Sequence, residues 1–391
     1  MLDLEQARQD TPGCLDKVFL ESAGSSLSPT QVLDAMFAHL RREAEVGGYV
    51  AAIERSSDLA AVKTSLGRLI GADADSIALA DGATTSWNRF FHAVPLRPGD
   101  RVLISEVEYA SNAIALLKRS QEAGATIDVI PSDPTGQIDV YALADLLDDR
   151  VRLVSLVHVP TNSGLVNPVR EVSDLAHAHG ALVLLDACQS VGQITIDVSE
   201  LGVDALSGTG RKWLRGPRGT GFLYVRPELI ATLEPASVDL HSAEWTAADA
   251  YQPVTDASKF ETWECAVAAR LGLGVAVDYL LDLGPSEVEA AVLTAADHLR
   301  SGLTDMTGVT VRDLGARRCG IVSFTIDGLD PADVTKRLAA RNVTVTSSLR
   351  ANTLLDMSAR GLDSVVRASP HYFCSPDDLE RFLSEVRQLA R

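Results

Sequence analysis

The 391-residue chain is poor in positive charge. Its 35 lysines and arginines face 53 aspartates and glutamates, a formal net charge of −18. Such a surface repels the phosphates of nucleic acids and of anionic membranes, so neither is an expected partner. Cysteine is sparse too: Cys14, Cys188, Cys265, Cys319 and Cys374 are scattered, with no CxxC pair. An odd set of isolated cysteines, behind an acidic and polar opening (MLDLEQARQDTPG) unlike an export sequence, predicts reduced thiols in a cytoplasmic setting. The absence of HExxH and of any Cys/His cluster argues against a metal site. No apolar run approaches the length of a membrane span, and there is no internal repeat or low-complexity linker.

What the chain does have is alternation. From about residue 55 to 235, short apolar runs (DSIALA, RVLISE, VRLVSLVHV, ALVLLDA, FLYV) are separated by helical patterns. These include SWNRFFHAVPL, NAIALLKRSQEAG, which ends near Gly124, and a helix closed by AHAHG. Strand, helix, strand at this spacing predicts an α/β fold with a large, mostly parallel sheet, and chemistry at the carboxyl ends of its strands. After about residue 255 the texture changes. FETWECAVAARLGLGVAVDYLLDL and VEAAVLTAADHLRSGLTDM read as long helices, and GVTVRDLG, CGIVSFTIDG and VVRAS as short strands. DPADVTKRLAARN and SPDDLERFLSEVRQLAR read as helices with acidic starts and basic ends. This predicts a smaller α+β C-terminal domain.

One stretch, DALSGTGRKWLRGPRGTGFLYV, places Lys212 among turn-forming residues just ahead of a strand. Lys212 reads as a solvated charge, a phosphate clamp, or an amine held ready to form a Schiff base. Asp186 closes the strand ALVLLD as a helix cap, a metal ligand or the partner of a bound cation, and Gln189 follows as a donor. One crossover unit separates Asp186 from Lys212, so both can face one crevice. Pyridoxal phosphate needs such a lysine, a carboxylate against its ring nitrogen, a phosphate nest and a flat group over the ring. LADGATTSWN offers a nest at Ala83, Thr84 and Thr85 if a helix begins there, or an ordinary turn with a threonine cap. Thr209 adds a hydroxyl and Arg211 a charge beside the lysine. Tyr109 in SEVEYASN is a ring cover or simple packing. Thr161 and Asn162 in HVPTNSGLVNP can reach a cofactor oxygen. Arg367 in VVRAS is a surface residue or a two-pronged clamp for a substrate carboxylate. Tyr49, in EVGGY, shapes a substrate pocket or only packs near a helix end.

In order and placement, FLESAGSSLSP, EVGGYVAA, GATTSWN, EVEYASN, HVPTNSGLVNPV, LLDACQSVGQ, SGTGRKWLRGPRGTGFLYV, KFETWE and VVRAS resemble the class V group of fold-type I pyridoxal phosphate enzymes. That group includes cysteine desulfurases, isopenicillin N epimerase-like proteins and the carbon–sulfur lyase of ergothioneine synthesis. The resemblance implies a fold-type I transferase fold, with an N-terminal segment (1–25) packing near the small domain, a large cofactor domain (26–255) and a small domain (256–391). It implies a Schiff base at Lys212, a ring-nitrogen partner in Asp186 and a phenolic-oxygen contact from Gln189. Ala83, Thr84 and Thr209 would hold the phosphate, Tyr109 would cover the ring, and Arg367 would bind the substrate's α-carboxylate. It also implies a homodimer with active sites at the interface, where FETWE lies near the neighbouring subunit's site. Desulfurases carry a FEAGT-like stretch there, and its threonine is missing; Arg211, Arg215 or Arg218 would compensate.

The main departure is an absence. The region that carries a nucleophilic cysteine in desulfurases reads VTVTSSLRANTLLDMSARGLDS, and Cys374 lies beyond Arg367. Together with EAEVGGYVAA, which resembles the ergothioneine lyase, this points to β-elimination from a cysteine S-conjugate or its sulfoxide. Epimerization, transamination and decarboxylating oxidation of an amino acid conjugate are the alternatives, and a decayed, non-enzymatic relative is a further one.

Overall fold

The computed structural model describes residues 2–391. Its centre is a seven-stranded sheet. In chain order the strands are β1 (Ile77–Ala80), β2 (Arg101–Ser105), β3 (Thr126–Ile130), β4 (Val151–Val157), β5 (Leu182–Asp186), β6 (Ala205–Thr209) and β7 (Gly221–Val225). They lie side by side as β1-β7-β6-β5-β4-β2-β3. The pairs from β6 through to β3 are parallel, and β7 runs antiparallel to both β6 and β1. The apolar runs are continuous because helices cover both faces. Leu153 and Leu184 pack into one layer, with Trp87, Phe90 and Phe91 of the helix Ala83–Ala93. Their neighbours Val154 and Leu185 point into the other layer, as strand geometry requires.

The small unit is a four-stranded antiparallel sheet built from Val309–Val311, Val322–Ile326, Ser364–Ala368 and Thr346–Leu349 in that order. The helices Pro285–Thr304, Pro331–Ala339 and Pro376–Leu389 pack against it and against one another. The acidic helix starts work as caps: Asp330 accepts from the Ala332 amide, and Ser375 with Asp378 forms a reciprocal capping box. The N-terminal segment joins this unit. Val18–Phe19 pairs in parallel with Val343–Thr344, and Arg8 meets Asp378 at 2.5 Å.

One expected element differs. FETWECAV does not open a helix; the helix is Val267–Leu283. The cause is Glu261, whose carboxylate accepts the Leu79 amide of β1 at 3.0 Å and Lys63 at 2.6 Å. Those bonds tie FETWE to the sheet edge instead of to its own helix. The helix itself lies on two helices of the N-terminal third, Thr30–Val46 and Ser56–Ile70.

Candidate active site

The ends of β2, β4, β5 and β6 and the turn after β1 open on the same side of the sheet. There they enclose a pocket of about 300 Å³ whose walls include Ala83, Thr84, Tyr109, Asp186, Gln189, Thr209, Arg211 and Lys212. Asp186, the last residue of β5, is buried. Its Oδ2 accepts from Asn112 Nδ2 at 2.9 Å, and its Oδ1 from the Cys188 amide at 2.9 Å. Lys212 borders the opening and is half-buried as a residue. Burial of its amine pushes the ammonium pKa down, against the opposing pull of Cys188 and Asp186. Such an amine gives up its proton more readily and can attack a carbonyl carbon.

The turn after β1 forms the pocket's anion-ready end. The helix Ala83–Ala93 begins at Gly82 with no side-chain cap, so its first N–H groups are left for another partner. Thr84 and Thr85 lie in its first turn and do not cap it. Gly221 makes the close approach possible: a Cβ there would lie 2.5 Å from the Gly82 carbonyl carbon. Thr209, at the end of β6, spends its hydroxyl on the Thr220 carbonyl at 3.4 Å.

Gln189 is largely engaged within the protein. Its Nε2 donates to the Ala23 carbonyl at 3.0 Å and to Thr161 Oγ1 at 3.3 Å, and its Oε1 accepts from Trp213 Nε1 at 3.0 Å. It therefore braces the residue next to Lys212. Arg215, three positions after the lysine, has φ 60° and is buried. Its guanidinium donates to the Leu27 carbonyl at 2.8 Å, to Thr11 Oγ1 and to the Tyr372 hydroxyl, and lies over the Phe373 ring at 4.7 Å. Arg211 donates to the Gly24 carbonyl.

Arg367 comes from the small sheet and is buried beside the pocket. Its Nη1 donates to the Thr161 carbonyl at 3.1 Å and to Thr161 Oγ1 at 2.8 Å. Its Nε has no partner among the described residues. Burial pushes its pKa down to about 10, with Glu21 pulling the other way.

Two expected residues lie elsewhere. Asn162 is not on the pocket wall; Thr161 is. The Asn162 amide is spent on the small sheet, donating to the Leu349 carbonyl at 3.2 Å and to Thr353 Oγ1 at 2.8 Å. Tyr49 is 78% exposed and borders a second, wider cleft of about 1130 Å³, with Ile53, His241 and Trp263. Sequence reasoning passed over Asn112, which lies in the first turn of the helix Ala110–Ala123, just after Glu108 and Tyr109 in EVEYASN.

The model for the aminotransferase class-V family matches residues 18–382. The chain belongs to that family. Among its relatives, a probable cysteine desulfurase of Methanothermobacter thermautotrophicus is 28% identical over 99% of this chain and 98% of that protein. Another, of Halalkalibacterium halodurans, is 28% identical over 93% and 90%. Apo cysteine desulfurase of Thermococcus onnurineus NA1 superposes with a TM-score of 0.91 at 25% identity, covering 100% and 98% of the two chains. The cystine C–S lyase C-DES, solved with its product cysteine persulfide, superposes at 0.88 with 24% identity over 96% and 99%. In a C-DES variant, glycine is covalently linked to the PLP cofactor.

This class V protein therefore has the fold-type I architecture and is a pyridoxal 5'-phosphate-dependent, cysteine desulfurase-like enzyme. Its pocket fits that cofactor: an uncapped helix start, a buried carboxylate and a lysine amine whose pKa burial lowers share one cavity. Among the described residues, no cluster of histidine, cysteine and carboxylate side chains could hold a metal ion. None of the described helices is long and apolar enough to cross a membrane.

Proposed function

We propose that the enzyme is a carbon–sulfur β-lyase acting on a cysteine S-conjugate or its sulfoxide, and releasing pyruvate, ammonia and a thiol or a sulfenic acid. Bound pyridoxal phosphate supplies an electrophilic carbon for the substrate amine and a sink for the electrons of the Cα–H bond. Lys212 would hold the cofactor and, as a free amine, would take the Cα proton of the substrate. Asp186 would set its carboxylate toward the ring nitrogen. The helix start at Ala83 and Thr84 would receive the phosphate, with Arg211 on the same pocket wall, and Tyr109 would cover the ring. Arg367 receives the substrate carboxylate, and its unpartnered Nε supports this role. Once the Cα proton leaves, the Cβ–S bond breaks and sulfur keeps the electron pair and gains a proton. The released aminoacrylate takes up one water to give pyruvate and ammonia.

The observation that carries this reading is where the cysteines are not. The segment 343–364, which Asn162 binds through Leu349 and Thr353, contains none. Cys14, Cys319 and Cys374 are buried. Cys188 lies on the pocket wall, but burial pushes its thiol well above the usual range, and Asp186 adds to this. Cys265 lies apart from the lysine pocket, in the wide cleft at Tyr49, and burial raises its thiol as well. With no cysteine in the segment that carries the desulfurase nucleophile, we take sulfur to depart with the conjugate. The fold admits such chemistry, since C-DES is a cystine lyase. Incubation with a panel of S-substituted cysteines and their sulfoxides should yield pyruvate and equimolar thiol or its oxidation products. Inverted amino acid, keto acid with aminated cofactor, or carbon dioxide in place of pyruvate would overturn the reading.

The working unit we propose is a homodimer of cytoplasmic protein. The wide cleft bordered by Tyr49, Ile53 and Trp263 presents large apolar side chains that a second copy would cover, completing the phosphate end of the site. Sedimentation of the holoenzyme as a monomer would remove this part.

A further inference from the structure

Glu108 has no part in the chemistry above, yet it is buried between β2 and the helix Ala110–Ala123 and touches what holds Asp186. Its Oε1 accepts from Asn112 Nδ2 at 3.0 Å and from the Tyr109 amide at 2.9 Å, and its Oε2 from Ser155 Oγ at 2.8 Å. Asn112 Nδ2 donates at 2.9 Å to Asp186 Oδ2 as well. A primary amide nitrogen has two protons, and both are used. The opposite amide orientation would turn a carbonyl oxygen toward two carboxylates, so the chemistry fixes the orientation. One neutral group thus stands between two buried acids.

We infer that Glu108 is a positioning residue for the carboxylate that faces the cofactor ring: through Asn112 it sets the orientation of Asp186, and its own charge is felt there. The inference rests on the assignment of Asp186 as the ring-nitrogen partner. Asp186 has two protein donors, Asn112 and the Cys188 amide, so Asn112 decides where its Oδ2 points. Glu108 in turn leaves Asn112 a single direction. The same carboxylate holds the Tyr109 amide, so the proposed ring cover and the proposed ring-nitrogen partner share one anchor.

The charge of that anchor is adjustable. Burial pushes the Glu108 carboxyl up to about 7; the Ser155 and Asn112 donors oppose the rise and the Asp186 charge adds to it. The groups facing it are Asp186 from β5, neutral Ser155 from β4, Asn112 from the first turn of the helix Ala110–Ala123, and the amide of the adjoining Tyr109. Lys212 in turn faces Asp186. Around neutral pH a second negative charge therefore arises one amide away from Asp186, and a ring nitrogen at Asp186 would hold its proton more tightly.

The test uses the holoenzyme, reading the visible absorbance of bound pyridoxal phosphate against pH and its loss on dialysis. Glu108→Gln keeps an oxygen for Asn112 but cannot ionise. It should retain the cofactor and lose an inflection near pH 7 that the wild type shows. Glu108→Ala and Asn112→Ala should each release the cofactor roughly tenfold more readily, and the double variant should be no worse than either single one. Ser155→Ala removes one donor to the carboxylate and should move the inflection upward by between roughly half a pH unit and one pH unit, which keeps the test open if the alanine variants at 108 do not fold. Identical titration curves for wild type and Glu108→Gln, or additive losses in the double variant, would overturn the inference. Asp186→Ala separates the two levels: if it leaves the absorbance unchanged, the ring-partner assignment falls, and the relay with it.

Discussion

The protein has two concavities, and they are built on opposite plans. The pocket at Lys212 is small and polar, and most of the side chains around it are held by hydrogen bonds from several distant segments. The cleft at Tyr49 is several times larger, with apolar walls over one buried ionic knot. In that knot Glu261 meets Lys63 at 2.6 Å, His241 at 3.2 Å and Arg270 at 3.3 Å. A polar pocket with fixed donors is suited to orienting a small charged molecule. An apolar cleft with exposed aromatic rims is suited to meeting another protein surface. Alterations in the first should change chemistry and spare assembly, and alterations in the second should do the reverse.

The sharpest contrast is expected from Lys212→Ala. Turnover should fall by roughly a thousandfold or more, and the visible band of the cofactor should shift, while the sedimentation coefficient stays that of the wild type. In the cleft, Glu261→Gln should cost about 3 kcal/mol in a urea titration, because three basic groups lose their buried partner. Acid sharpens this effect. Burial works to raise the Glu261 pKa, but His241, Lys63 and Arg270 outweigh it and lower it from 4.5 to about 2. The unfolded chain therefore takes up this proton first as pH falls. The stabilisation is full above about pH 4.5 and fades as pH drops toward 2, and Glu261→Gln should flatten that part of the stability–pH curve.

Smaller effects extend the comparison. Arg367→Ala should raise KM by roughly 10- to 100-fold with a lesser change in kcat, as expected for a carboxylate anchor. Equal losses in both constants with full stability would argue for a different role. Gly221→Ala should weaken cofactor retention and cost about 1–3 kcal/mol, since its methyl group would push on the turn at Gly82. Tyr49→Asp, at the other end of the scale, should leave the absorbance of bound cofactor nearly unchanged and raise the dissociation constant of the proposed dimer, measured by analytical ultracentrifugation.

The same division governs what could be read from the sequence. The large sheet was legible because strands buried on both faces become unbroken apolar runs, and the helix after β2 closes at Gly124 with φ 69°. The pocket was legible where a residue's position at or just beyond a strand end decides its place, as for Asp186 at the end of β5 and Lys212 in the turn three residues after β6. It was not legible where direction depends on the partner. Asn162 and Thr161 are adjacent in a loop, and only the arrival of Leu349 and Thr353 turns Asn162 away. Glu108 and Asn112 were hidden for the opposite reason: without the fold, a glutamate and an asparagine near a helix start are ordinary solvated residues. The cleft was almost invisible. Its walls come from segments far apart in the chain, and FETWE looked helical because its tie to Leu79 and Lys63 is not written locally.

Arg215 has one more consequence. Its guanidinium joins Thr11, Leu27 and Tyr372, so the bend that carries Lys212 is clamped by segments that precede the large sheet and follow the small one. During synthesis the lysine leaves the ribosome long before its clamp is complete. A nascent chain paused between the seventh strand and the last helix would already hold most of the large sheet, yet it should capture vitamin B6 poorly until Tyr372 emerges.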